Sequence, residues 1–167
     1  SVDQLFHSFK VHTSPLQKIP GIEKNYRKFL PLMPLAVSRL DVSGYDLVIS
    51  SSHCVAKGIK KNKNAKHISY VHAPMRYMWD RFEDYFGPGK SPLVTRLAAR
   101  AIRPQMQSWD VSVSGEDRVD LMIANSHFIA SKIKEFYGRD SQVIHPFVDW
   151  DRFQEFKRDP KGFYLMV

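Results

Sequence analysis

The densest run of chemically capable residues is Tyr70-Val71-His72-Ala73-Pro74-Met75-Arg76-Tyr77-Met78-Trp79-Asp80. A guanidinium can hold a phosphate or carboxylate through paired hydrogen bonds. Tyr and Trp rings can lie against a sugar face and still offer a polar edge. An imidazole can donate to a hydroxyl, or act as acid or base near neutral pH. His72, Arg76, Tyr77, Trp79 and Asp80 therefore form the first candidate site. The competing reading is an aromatic cluster facing the core, with His72 capping a backbone group. Further polar groups stand at Ser50-Ser51-Ser52-His53, Asn125-Ser126-His127 and His145–Asp149. Ser126 also has a plain role as a helix cap, and a cap and an anion site can coexist because both use the same N–H groups.

Several chemistries are excluded. No two of the histidines stand at i, i+4, and Asp3/His7 and His145/Asp149 are isolated pairs far apart in sequence, so no zinc site is expected. Cys54 is the single cysteine; it can make neither an internal disulfide nor a thiolate zinc site, and reads as a small buried residue. There is no Gly-x-Gly-x-x-Gly, no Walker-type Gly-Lys-Ser/Thr loop and no Gly-x-Ser-x-Gly elbow.

Short apolar runs must position these groups. Asp46–Ser50, His67–Val71, Asp120–Ala124, Gln142–Ile144 and Phe163–Val167 read as strands, the first buried on both faces. Helices alternate with them. Ile22–Leu30 is one, and Pro34–Leu40 another, with Pro34 in the first turn. Ser91 and Pro92 open a long helix in which Leu93, Leu97 and Ala101, with Val94, Ala98 and Ile102, form the inner stripe. Arg96, Arg100 and Arg103 are then outward, and Pro104 kinks or breaks the helix. Ser126 caps a helix that Gly138 stops. Alternating strands and helices predict an α/β, Rossmann-like, doubly wound parallel sheet. Its ligands sit beyond the carboxyl ends of the strands, where the polar groups above fall.

The chain has 167 residues, 43% of them apolar and 25% charged, which suits a globular domain and rules out bulk disorder. Its net charge of +8 is uneven: residues 1–46 carry +2, residues 47–109 carry +8 and residues 110–167 carry −2. No acid occurs from Leu47 to Trp79. Such a stretch draws an anionic partner, whether a phosphate-bearing ligand, anionic lipid or nucleic acid. The plain alternative for Lys57–Lys66 is a solvated connection.

The order of the blocks carries more than any one of them. Lys10–Ser14, Leu30–Pro34, Gly44–His53 and Val55–Gly58 come first. His72–Tyr77 with Trp79-Asp80, Arg118–Asp120, Ile123–Ser126 and Val143–Pro146 with Val148-Asp149 follow. Together they resemble the acceptor half of group 1 glycosyltransferases, the retaining family-4 enzymes of GT-B fold. The branch they are most similar to is the bacterial mannosyltransferase-like one that builds cell-surface polysaccharides.

The resemblance implies a truncated N-terminal GT-B half. Residues 1–160 would be a partial Rossmann-like acceptor domain, and 161–167 the first strand of a donor domain. It implies transfer of a sugar, with mannose from GDP-mannose as the expected donor, to a lipid-linked or saccharide acceptor with retention. No cofactor or metal is implied, and the piece alone is expected to be inactive. His72 matches the imidazole that faces the donor sugar. Ser51, Ser52, His53, Arg76, Tyr77, Trp79, Asp80, Asn125 and Ser126 are the substrate-binding candidates, and Pro146 and Asp149 fall at the hinge. Lys57, Lys60, Lys61, Lys63 and Lys66 would face anionic headgroups at about 1 kcal/mol each. A cytoplasmic setting, peripheral at the inner membrane face, follows, with no nucleic acid as partner. The alternative is a non-catalytic anion- or nucleic-acid-binding module, and pairing of open sheet edges would make a homodimer.

Overall fold

The computed structural model describes residues 9–149 and residue 162. The chain enters through a 3-10 turn (Pro15–Lys18), helix α1 (Ile22–Asn25), a 3-10 segment (Tyr26–Leu32) and helix α2 (Met33–Ser38). The predicted helix over Ile22–Leu30 is α-helical only for its first turn and then tightens. Pro31 lies inside the 3-10 segment and does not end it. Pro34 sits in the first turn of α2, where its missing N–H costs nothing.

Four strands follow: β1 (Leu47–Ser52), β2 (Lys66–Val71), β3 (Leu121–Ala124) and β4 (Gln142–Val143). All pair in parallel, in the order β1-β2-β3-β4. The Rossmann-like α/β sheet expected from the alternating pattern is present. A fifth strand at 163–167, and with it the proposed domain boundary, lies outside the described residues.

Right-handed crossovers between successive neighbours put every connection on one side of a sheet. That side carries Val48, Ser50, Ser52, His67, Ser69, Val71, Met122 and Ala124, all buried. Val71, Met122 and Ala124 pack with Val119, Ile129 and Ile133 in one core cluster. The opposite face is open among the described residues: Leu47 is 51% and Ile49 is 69% exposed. The two-sided burial expected of β1 is therefore not found. Its apolar run spans both faces, but only one meets a described element.

Helix α3 (Phe82–Phe86) and the long helix α4 (Leu93–Ser112) link β2 to β3. Helix α4 departs from expectation in three ways. It continues through Pro104 for 20 residues. Pro92, not Ser91, is its N-cap. And the stripe turned to the core is Ala99, Ile102, Arg103, Met106 and Asp110. Leu93, Val94 and Leu97 face outward, 59%, 79% and 57% exposed. Arg103 thus turns inward and Leu93, Val94 and Leu97 outward against the predicted faces, whereas Ile102 lies inward and Arg100 outward as expected. The cause is pairing at a distance. Arg103 donates to the carbonyls of Met78 and Trp79 at 2.9 and 2.8 Å, and its guanidinium lies over the Phe82 ring at 4.4 Å. Satisfying those buried acceptors turns the arginine in and the leucines out. Helix α5 (His127–Tyr137) matches the sequence at both ends. Ser126 Oγ accepts from Ile129 N at 3.2 Å, and Gly138 closes it at φ 68°.

Candidate functional site at the carboxyl ends of the strands

His72 follows the last residue of β2 directly. Its N–H donates to Ser52 O at 2.9 Å, prolonging the ladder, so its side chain emerges at the sheet's carboxyl edge. There its Nε2 hydrogen-bonds Ser51 Oγ at 2.8 Å. The Tyr70 ring lies edge-on to the imidazole at 5.1 Å. The hydroxyl of Tyr70 donates to Ile144 O at 2.9 Å, just past β4. Asn125, after β3, donates from Nδ2 to His72 O at 3.1 Å. The Asn125 carbonyl accepts from His145 Nδ1 at 3.2 Å, which fixes the proton on that nitrogen because a carbonyl only accepts. The ring of His127 stands 5.8 Å from that of His145. The ends of all four strands are thereby tied around one exposed imidazole.

His53 is a neighbour in charge. Burial, followed by the charge of Arg76 and a smaller effect from the neighbouring His72, pushes its pKa below the ordinary imidazole value. The fixed charge of Arg76 favours anions at this end of the sheet. Two hollows, of about 320 and 340 Å³, lie elsewhere. One is beside Tyr45 and Ile49, the other beside Ile22 and Val37, with mainly apolar walls.

The remaining sequence candidates divide. Ser51, His53, Arg76, Asn125 and Ser126 stand at the strand ends with His72. Ser52 is buried, and its Oγ accepts weakly from Lys57 N. Tyr77 turns inward, bonded to Cys54 Sγ, and burial drives its phenol far above the usual range. Trp79 donates from Nε1 to Asp110 at 2.8 Å and stacks on Phe136 at 4.6 Å. The inward reading of the aromatics thus describes Tyr77 and Trp79: they brace the 73–80 loop. Asp80 lies 3.7 Å from Lys132.

The structure removes Lys57 from the proposed lysine surface and leaves Lys61 little exposed. Lys57 is 1% exposed and ion-paired with the fully buried Asp110. Lys61, 10% exposed, and Lys66 both pair with Asp120. That carboxyl is held well below its usual range, first by the His67 N–H and then by the two lysines. Lys60, Lys63 and Lys66 remain exposed. The sequence reading also missed Asp110, which accepts from Lys57, Trp79 and Tyr137. One signal was present: Asp110 follows Met106 and Arg103 at helical spacing.

Among the described residues, no group of three or more His, Cys, Asp or Glu is placed to hold a metal ion. The family model that matches the chain is Glycosyltransferase Family 4, over residues 3–152. The chain belongs to this family. Comparison with curated proteins and with solved structures returns no match. This glycosyltransferase carries the N-terminal half of the GT-B fold, and the parallel sheet with His72 at its carboxyl edge is the part that half contributes. Membership implies a nucleotide-sugar donor and an acceptor as substrates.

Proposed function

We propose that this domain presents His72 to the sugar of a nucleotide diphosphate donor and helps transfer that sugar, with retention, to a lipid-linked or saccharide acceptor. The observation that carries the reading is the exposed His72 imidazole, held by Ser51 Oγ at 2.8 Å with Arg76 and His53 in its field. A held imidazole can donate to a sugar hydroxyl and fix the orientation of the ring without itself being consumed. Arg76 supplies a fork for phosphate oxygens, and the donors at the start of α5 add to it. Mannose is the proposed sugar, GDP the proposed nucleotide and cell-surface polysaccharide the proposed product, on the resemblance of the ordered motif blocks. No cofactor or metal enters the proposal.

A titration of histidine-labelled chain by NMR tests it. GDP-mannose should shift the His72 and His53 ring signals saturably, and UDP-glucose should do so less. Movement of other histidines with these two still would overturn the assignment. In protein competent for transfer, His72→Ala should lower kcat roughly 100-fold or more. The anomeric configuration of the product decides retention.

A further inference from the structure

His72 and Arg76 are the exposed residues of a segment that is otherwise packed away. Ala73, Pro74 and Met75 between them are buried, and so is Met78. The backbone here is a tight turn. Met78 N donates to Met75 O at 2.8 Å, and Trp79 N and Arg81 N donate to Arg76 O at 3.1 and 3.0 Å. Side chains of α4 then meet the next two carbonyls. Arg103 donates from Nε to Met78 O at 2.9 Å and from Nη2 to Trp79 O at 2.8 Å. Gln107, one turn on, donates from Nε2 to Met78 O at 2.8 Å. Asp110, nearly a turn further, accepts from Trp79 Nε1 at 2.8 Å. One stripe of α4 thus grips two consecutive residues by backbone and ring. On the other side, Tyr77 is bonded to Cys54, the residue after His53. Arg76 lies between these anchors, and its charge acts on His53.

We propose that Arg103 and Gln107 are positioning residues: by holding Met78 O and Trp79 O they fix the turn that presents the Arg76 guanidinium to phosphate near His53 and His72. The proposal rests on the reading of Arg76 as the phosphate-binding fork. The chemistry of the grip suits placement. A guanidinium is planar with its donors in a rigid fork, so two carbonyls bound to it are fixed in relative orientation as well as in distance. The Phe82 ring lies against the Arg103 guanidinium at 4.4 Å and holds its plane. Gln107 occupies the second lone pair of Met78 O, so that carbonyl is held from two directions. Paired N–H groups on phosphate need such placement, because a displacement of about 1 Å can cost roughly 100-fold in rate.

Titration of histidine-labelled chain by NMR reads the placement without any transfer. Burial is the main cause of the low His53 pKa and the Arg76 charge the next, so Arg76→Ala should raise it and sets the scale. Arg103→Lys keeps the charge and loses the fork. Gln107→Leu removes one donor while Met78 O keeps Arg103 Nε, so the fold is retained. Both should raise the His53 pKa, Arg103→Lys the more. The double variant R76A/R103K should titrate at His53 like R76A alone, because the effect passes through Arg76. Val48→Ala, in the amino half of β1, should lower the melting temperature and leave His53 unmoved. In protein competent for transfer, Arg103→Lys should lower kcat/KM about tenfold or more. The proposal is overturned if R76A, R103K or Q107L leaves His53 at the parent value, if R76A/R103K moves it beyond R76A, or if V48A moves it as far as R103K. The expected His53 shifts, with GDP-mannose binding R76A as tightly as the parent, would uphold the positioning and overturn the phosphate reading of Arg76.

Discussion

Lys57 and Asp110 form an ion pair with both side chains shut off from solvent, across 53 residues of sequence. Trp79 Nε1 and Tyr137 OH each donate to the other oxygen of Asp110 at 2.8 Å. One carboxylate thus joins the segment after β1, the His72–Asp80 loop, α4 and α5. Breaking a buried pair from one side leaves a bare charge, at about 3–5 kcal/mol. Asp110→Ala should lose that much in urea unfolding. The double variant K57M/D110L should recover much of it, because both charges leave together. Equal loss in the single and double variants would show that the pair is not the source.

Gly58 shares the same neighbourhood. A Cβ at this position would stand 2.6 Å from Cζ2 of Trp109. The indole is held within the cluster of Met75, Met78 and Phe82, so it has little room to yield. Gly58→Ala should cost about 1–3 kcal/mol by overpacking. Pairing it with Trp109→Leu should relieve part of that cost, a coupling that a double-mutant cycle would detect. Additive effects would contradict the clash.

His67 is fully buried on the covered face of the sheet. Its Nδ1 donates to Arg118 O at 2.8 Å, and Nε2 hydrogen-bonds Ser50 Oγ at 2.9 Å. Burial, with lesser effects from Lys61 and Arg118, pushes its pKa down, against the Arg118 carbonyl and Asp120, which favour the cation. The unfolded chain takes up a proton near pH 6.5 and the folded chain does not. Stability should therefore be full above that pH and fall as acid is added, by up to about 1.4 kcal/mol per pH unit, until the folded pKa is reached. Unfolding of His67→Gln between pH 5 and 7 should show a shallower slope. An unchanged slope would assign the acid sensitivity elsewhere.

Ser51 and Asn125 hold His72 from two sides, through its ring and its carbonyl. Both act on the imidazole's position. In protein competent for transfer, Ser51→Ala and Asn125→Ala should lower kcat more than they raise KM. Ser51→Thr keeps the hydroxyl and should restore most of the rate. His72 is exposed, so His72→Ala should change stability by less than about 0.5 kcal/mol while removing activity. A stability loss that tracks the rate loss would give the histidine a merely structural role.

The strands, their polar ends and the caps of α5 were legible because they rest on local rules. A β-branched run marks Leu47–Ser52, and Ser126 and Gly138 close the helix between them. The cluster of His72 with Ser51 and Asn125 followed from the parallel order, which brings strand ends together. The roles of Tyr77 and Trp79 did not follow. An aromatic ring with a polar edge serves a sugar or a buried carboxylate equally well, and only Asp110's position decides between them.

The sequence by itself determined the Rossmann-like alternation, the family and the loops in which a site can lie. The tertiary structure decided which face of α4 is core and which lysine is surface. Periodicity reveals that a helix has two faces, but not which one has a partner. Arg103 and Lys57 turn inward because buried acceptors far along the chain, Met78 O, Trp79 O and Asp110, must be satisfied. Leu93 and Leu97 are left outside for the same reason.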